Sequence, residues 1–138
     1  MPDGLVPDEG LARGLVWTLN NADTQLDAWQ LLLWVNDYEP DESTTLADLE
    51  EATFGGYNRV ALMPNDWGAP VVADGVATST WGTDPVEFTN TTGPTQTVYG
   101  CAYFDPVFSV LRFVQRFDAG DVREIAAGAS VLVIPRFT

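Results

Sequence analysis

The densest set of side chains able to do chemistry is Asn36, Asp37, Glu39, Asp41 and Glu42, a run of oxygen donors in one stretch broken by Pro40. Oxygen ligands converging from a single loop are how a hard cation such as calcium is held. An EF-hand loop requires glycine at its sixth position, where this segment carries Glu42. The loop 37–42 is therefore read as solvated acid, with cation binding as the alternative. Glycoside hydrolysis needs an acid and a second carboxylate about 5 to 9 Å apart in a cleft. Twenty Asp and Glu residues supply so many candidate pairs that none stands out, and no catalytic residue is assigned.

The chain contains no histidine. That removes the Ser-His-Asp triad, the Cys-His pair, the imidazole zinc site and any base titrating near neutrality without heavy perturbation. The single cysteine, Cys101, sits in an apolar run between Tyr99 and Tyr103 with no base or cation nearby, and reads as a small buried hydrophobe. It cannot make an internal disulfide, so packing or neighbouring subunits must supply the stability. Aromatic faces stack on pyranose rings but more commonly anchor cores and interfaces. Trp29, Trp34, Tyr57, Phe88, Tyr99, Tyr103, Phe113 and Phe117 are assigned mostly to the core, whereas Trp67 and Trp81, beside turns, are the candidates for exposure. All six basic residues are arginine, the side chain suited to bidentate carboxylate pairing at interfaces. Arg112 and Arg116 flank Val114 on one face of an alternating strand, placed to meet acidic partners across an edge.

These residues sit on a chain of 138 residues with a formal charge of −14. Such a balance argues against a grip on nucleic acid or on an anionic membrane surface, since both need clustered cations. The hydrophobic share of 46% and the aromatic share of 12% exclude a disordered chain. The length fits a short arm, residues 1–6, and one domain over residues 7–138. No run reaches ~18 continuous apolar residues, and the start Met1-Pro2-Asp3 lacks the basic opening of a signal peptide. A soluble protein made in a cytoplasm is expected, with no cofactor.

The elements that must position the candidates follow from periodicity. Leu11, Leu15 and Leu19 predict an amphipathic helix over residues 7–20, with Pro7 in its first turn and Asp8 and Glu9 at the positive end of its dipole. Residues 26–35 are apolar at nearly every position, the pattern of a strand buried on both faces, with a helix as the alternative. Thr45 and Asp48 have capping-box spacing, predicting a short helix near residues 45–54 that Gly55 and Gly56 end. Strands are predicted over residues 57–63, 69–73, 76–81, 86–90, 97–104, 108–117, 122–125 and 130–134, with Asp74-Gly75 as a hairpin turn. Short strands at this spacing indicate a mainly β fold, an antiparallel β-sandwich or jelly-roll-like barrel preceded by a helix.

Three segments in order carry a further pattern: VPDEGLARGL, LLLWVNDYEPDESTTLADLEEATFGGYNRVAL, and VYGCAYFD followed by a strand ending in Arg116-Phe117 and a Gly120-Asp121 turn. Together they resemble a family of small structural proteins encoded by tailed bacteriophages. In that family the middle segment is a strand ending in Asn-Asp, a proline-containing loop, Thr-Leu-Ala-Asp, and a Gly-Tyr after a short acidic helix. Asn36, Asp37, Pro40, residues 45–48, Gly56 and Tyr57 match it, as do Val98, Tyr99 and Gly100 of the later Val-Tyr-Gly-Tyr, from which Cys101 departs. The resemblance implies a non-enzymatic virion component, foremost a capsid decoration or cement protein bridging capsomers, and implies no catalytic residue. Its expected partners are the major capsid protein and further copies of itself, a trimer before a dimer. The alternative is a tail or receptor-binding component that contacts host glycans through Trp67 and Trp81.

Overall fold

The most apolar run of the chain forms the middle of the molecule. In the computed structural model, which describes residues 4–10, 29–63, 67, 71–80, 82 and 84–137, residues Leu31, Leu32, Leu33 and Trp34 are fully buried. The strands, in chain order, are β1 (Trp29–Trp34), β2 (Val60–Leu62), β3 (Val71–Ala73), β4 (Val76–Thr80), β5 (Val86–Thr89) and β6 (Gln96–Val98). They continue with β7 (Gly100–Asp105), β8 (Val110–Arg116), β9 (Arg123–Ile125), β10 (Ser130–Val133) and β11 (Arg136–Phe137). Every pairing among the described strands is antiparallel, and the central sheet has the order β2-β1-β7-β8.

A strand without a polar parity has to be covered on both faces. Leu31 and Leu33 of β1, with Cys101 and Tyr103 of β7, face one core, where Phe88, Val98, Ile125, Val131 and Val133 of β5, β6, β9 and β10 meet them. Leu32 and Trp34, with Ala102 and Phe104, face the other, which is closed by Leu5, Tyr38, Leu46, Leu49 and Tyr99. The first cover is sheet and the second is irregular chain. The expectation of a mainly β, antiparallel, sandwich-like fold holds; the pairs β10-β5 and β6-β9 and the ribbon β11-β4-β3 stay separate sheets, so the described strands close no barrel.

Local expectations fare unequally. The Asp74-Gly75 hairpin forms with both residues at positive φ, 52° and 78°, the backbone of a type I′ turn. The strand expected over residues 97–104 is broken at Tyr99, where the chain passes from β6 to β7. The Tyr99 N–H donates to Trp34 O at 3.0 Å, and Tyr99 O accepts from the Phe117 N–H at 2.8 Å. Strand β11 was not foreseen; two residues carry no periodicity.

The helix expected near residues 45–54 shrinks to one 3-10 turn, Leu46–Asp48. Its reciprocal cap does form, the Thr45 N–H donating to Asp48 Oδ2 at 2.8 Å. The end of β1 then captures the following backbone, with Val35 N–H to Glu50 O at 2.7 Å and Ala52 N–H to Leu33 O at 3.0 Å. A continued helix would forfeit these bonds. Gly55 is consequently no helix stop, for it lies against Thr92, donating to Thr92 O at 2.7 Å.

At the other end of the chain, residues 8–10 are helical, and the rest of the helix expected over 7–20 lies outside the described residues. Of the arm expected over residues 1–6, residues 4–6 are described. Leu5 and Val114 exchange both backbone hydrogen bonds at 2.7 Å, so residues 4–6 line the edge of β8 in their own molecule. A Cβ on Gly4 would fall inside the Phe113 ring, so close packing demands glycine there.

Strand β8 carries the most consequential irregularity. Tyr103 pairs with Phe113 but Phe104 pairs with Leu111, leaving Arg112 as the extra residue of a β-bulge. The parity shift sends Leu111 and Val114 to one core and Phe113 to the other. Strict alternation had placed Leu111 with Phe113.

Gly100 offers a test of this packing, since a Cβ there would collide with Gln115 O and the Trp34 indole. Gly100→Ala is expected to lower the urea midpoint by the equivalent of about 1–3 kcal/mol with the m-value unchanged. Gly120→Ala, with nothing within 4 Å of the added methyl, should leave it within about 0.5 kcal/mol.

Candidate functional site

The arginines proposed as contacts are engaged within the chain. Arg112, 8% exposed, donates from Nε at 3.0 Å and from a terminal nitrogen at 2.7 Å to Asp105 Oδ2. Its guanidinium also lies 5.5 Å from the Trp29 ring centroid. The other oxygen of Asp105 accepts the N–H groups of Val107 at 3.0 Å and Phe108 at 3.3 Å, fastening the β7–β8 turn. Burial therefore corrects the reading of Arg112 as an interface residue: the bulge rotates it from the face it would have shared with Arg116, and Asp105 keeps it.

Arg116 remains one-quarter exposed and pins the acidic loop. It donates to Asp37 Oδ1 at 2.6 Å and to Tyr38 O at 2.7 Å, approaches Glu39 at 3.5 Å, and covers the Tyr99 ring at 5.3 Å. The loop then closes on itself. Asp41 Oδ1 accepts from the Ser43 N–H at 2.9 Å and hydroxyl at 2.7 Å, bonds that hold its pKa below the ordinary 3.8. Asn36 spans the loop, donating to Asp48 O at 3.0 Å and accepting the Glu50 N–H at 2.8 Å. Among the described residues no group of three or more His, Cys, Asp or Glu side chains converges to hold a metal ion.

The aromatic candidates divide. Trp67 is half-buried, edge-on to Tyr103 at 5.9 Å between ring centroids, and packs on the first core; Trp81 lies outside the described residues. Cys101 is 1% exposed, and burial pushes its thiol up to about 12, so it stays a neutral thiol at neutral pH, as expected of a core residue.

A second polar centre escaped the sequence reading. Glu51 takes both arms of Arg59, Nε at 2.8 Å and a terminal nitrogen at 2.7 Å, together with the Tyr57 hydroxyl at 2.8 Å. Arg59 also donates to Gln30 Oε1 at 3.0 Å, and Tyr57 accepts the Leu33 N–H at 3.1 Å. Burial raises the Glu51 pKa, but the bonds from Arg59 and Tyr57 outweigh it and leave the group below 4.5; burial foremost drives the Tyr57 phenol upward. A Glu, a Tyr and an Arg at residues 51, 57 and 59 form no recognised spacing, and their meeting depends on how β2 pairs with β1.

One concave site lies apart from these clusters. A cleft of about 400 Å³ opens between the end of β8, β9 and β10, with Cys101 and Phe117 in its wall and Asp121 and Arg123 among its polar groups. Spacing did not single it out, because its walls come from distant strands. Comparisons with family sequence profiles, with curated proteins and with solved structures find no match for this chain.

The two ion pairs should separate in mutagenesis. Arg112→Ala strands Asp105, whose side chain is 2% exposed, and should cost about 3–5 kcal/mol in denaturant unfolding. Arg116→Ala loses pairs to carboxylates that are 71% and 84% exposed and should cost no more than about 1 kcal/mol. For Glu51 the sign follows from its lowered pKa. Its contribution is complete above the ordinary 4.5 and disappears as pH falls through the lower folded value. Thermal unfolding followed over an acid series should therefore show a shallower loss below pH 4.5 for Glu51→Gln than for the parent chain.

Proposed function

We propose that this chain is a non-enzymatic structural component of a tailed-bacteriophage particle, a decoration or cement protein that bridges capsid subunits on the outside of the head. The observation that carries the reading is the β3–β4 ribbon. Val71, Val72 and Val76 are 67%, 70% and 52% exposed, and Asp74 is the sole charge of residues 71–80, on a chain carrying −14. Exposed apolar surface on a strongly anionic protein marks where another protein is met without electrostatic repulsion. Many such modest contacts on a lattice raise the effective affinity without a strong single site.

The residues of the bacteriophage resemblance support the same reading through their structural roles. Asn36 ties the loop over the second core, Tyr57 closes the Glu51 cluster, and Gly100 admits the Trp34 indole and the Gln115 carbonyl. They maintain a fold, as a family of assembly subunits requires. With Arg112 buried and Arg116 committed to Asp37, docking falls to the apolar ribbon. The partners in this reading are the major capsid protein and further copies of the chain, a trimer before a dimer.

Val71→Asp with Val72→Asp should leave thermal unfolding unchanged and reduce occupancy on purified heads at least about tenfold, the loss of one modest contact's free energy or more. Full occupancy would refute the ribbon's role. Recovery of the parent protein solely on isolated tails would replace the cement reading with the tail or receptor-binding one.

A further inference from the structure

Among the described residues, strand β10 is paired on one side only, by β5, with Leu132 opposite Glu87. Its other side borders the 400 Å³ cleft. Val131 and Val133 point into the first core, whereas Leu132 and Ile134 are 62% and 59% exposed, yet all four line this cleft. Residues of opposite parity share one space where that space runs along the strand's edge rather than over a face. An edge presents unpaired N–H and C=O groups, which an incoming extended chain satisfies by adding a strand.

The charges at the cleft select among such chains. Arg59, Arg112 and Arg116 are each held by a carboxylate, but Arg123, exposed at the cleft, makes no ion pair or side-chain hydrogen bond among the described residues. An open cation on a chain of charge −14 favours a ligand whose one anionic group reaches that guanidinium and whose remainder is uncharged. Asp121, on the same wall, repels a second carboxylate. A second copy of this chain is the competing occupant, and the test below separates the two.

We propose that the cleft along β10 is a peptide-binding site that receives an extended, otherwise apolar segment of a partner protein by strand addition, with one Asp or Glu of that segment paired to Arg123. The occupied length is about five residues, ~17 Å of extended chain. The inference stands on the cleft and is independent of the particle assignment.

The test is selection of the full-length protein against a displayed library of linear, cysteine-free nonamers. Enriched peptides should carry β-branched residues at alternate positions, no central proline and a single acidic residue. On binding, the amides of residues 130–134 should exchange more slowly. The selected peptide should lose at least about tenfold in affinity when its backbone is N-methylated at alternate residues, or when the protein carries Arg123→Gln, each change removing at least one hydrogen bond. Selection against Arg123→Glu should exchange the acidic residue for Lys or Arg, with thermal unfolding unchanged because Arg123 is exposed. The proposal is overturned if nothing is enriched, if the peptides lack an acidic residue, or if Arg123→Glu selects the same ones. A concentration-dependent increase in mass abolished by Arg123→Glu would equally overturn it, by making a second copy the occupant.

Discussion

The buried pair of Arg112 and Asp105 organises the structure around it. Asp105 uses one oxygen to hold the turn after β7 and the other to hold the guanidinium from the bulge in β8, so a single carboxylate fastens both the turn and the start of β8. The desolvation cost of two buried charges is offset because the carboxylate's remaining capacity is filled by backbone N–H groups and the guanidinium lies beside Trp29. Placing an extra residue there changes which side chains β8 delivers. Leu111 and Val114 enter one core and Phe113 the other, an outcome that regular pleating would forbid.

That two-sided delivery matters because β1 and β7 are apolar on both faces. One face is met chiefly by further strands and the other by Leu5, Tyr99 and the loop between β1 and β2. Irregular chain cannot satisfy its own backbone by a ladder, so side chains do that work. Asn36, Arg116, Asp41 and Glu51 each fix a section of loop to itself or to a strand. Much of the acidity that looks like a candidate metal or catalytic cluster in one dimension is thus spent on holding a cover over the second core.

What remains outward follows a division of labour. The acidic surface keeps the chain apart from anionic neighbours, while the β3–β4 ribbon and the edge of β10 offer apolar contact and backbone pairing where charge is sparse. On both, the outward side chains Val71, Val72, Leu132 and Ile134 are exposed, which distinguishes them from Arg112, Arg116 and Trp67. The proposed interaction surfaces are therefore marked by exposed apolar side chains, and the polar clusters by their internal hydrogen bonds.

Much of the fold was legible without tertiary information because it rests on local patterns. The unbroken apolar run in β1 implied burial on both faces, Asp74-Gly75 implied its hairpin, and Thr45 with Asp48 implied the cap that forms. These depend on side-chain periodicity or on the conformational preferences of a few adjacent residues. The extent of the helix after Thr45 was not legible, since backbone groups of β1 compete for residues 50–52 across the fold. Nor was the fate of Arg112: alternation places it beside Arg116, and one bulge, set by a carboxylate seven residues away, reverses that and buries it. The Glu51–Tyr57–Arg59 cluster folds the β1–β2 connection back on itself and the cleft at β10 joins side chains of different strands, and no spacing along the chain encodes either meeting. Sequence settled the residues' preferences and the sites of turning; pairing register and the competition for hydrogen bonds in three dimensions settled which polar groups became structure and which stayed available to a partner.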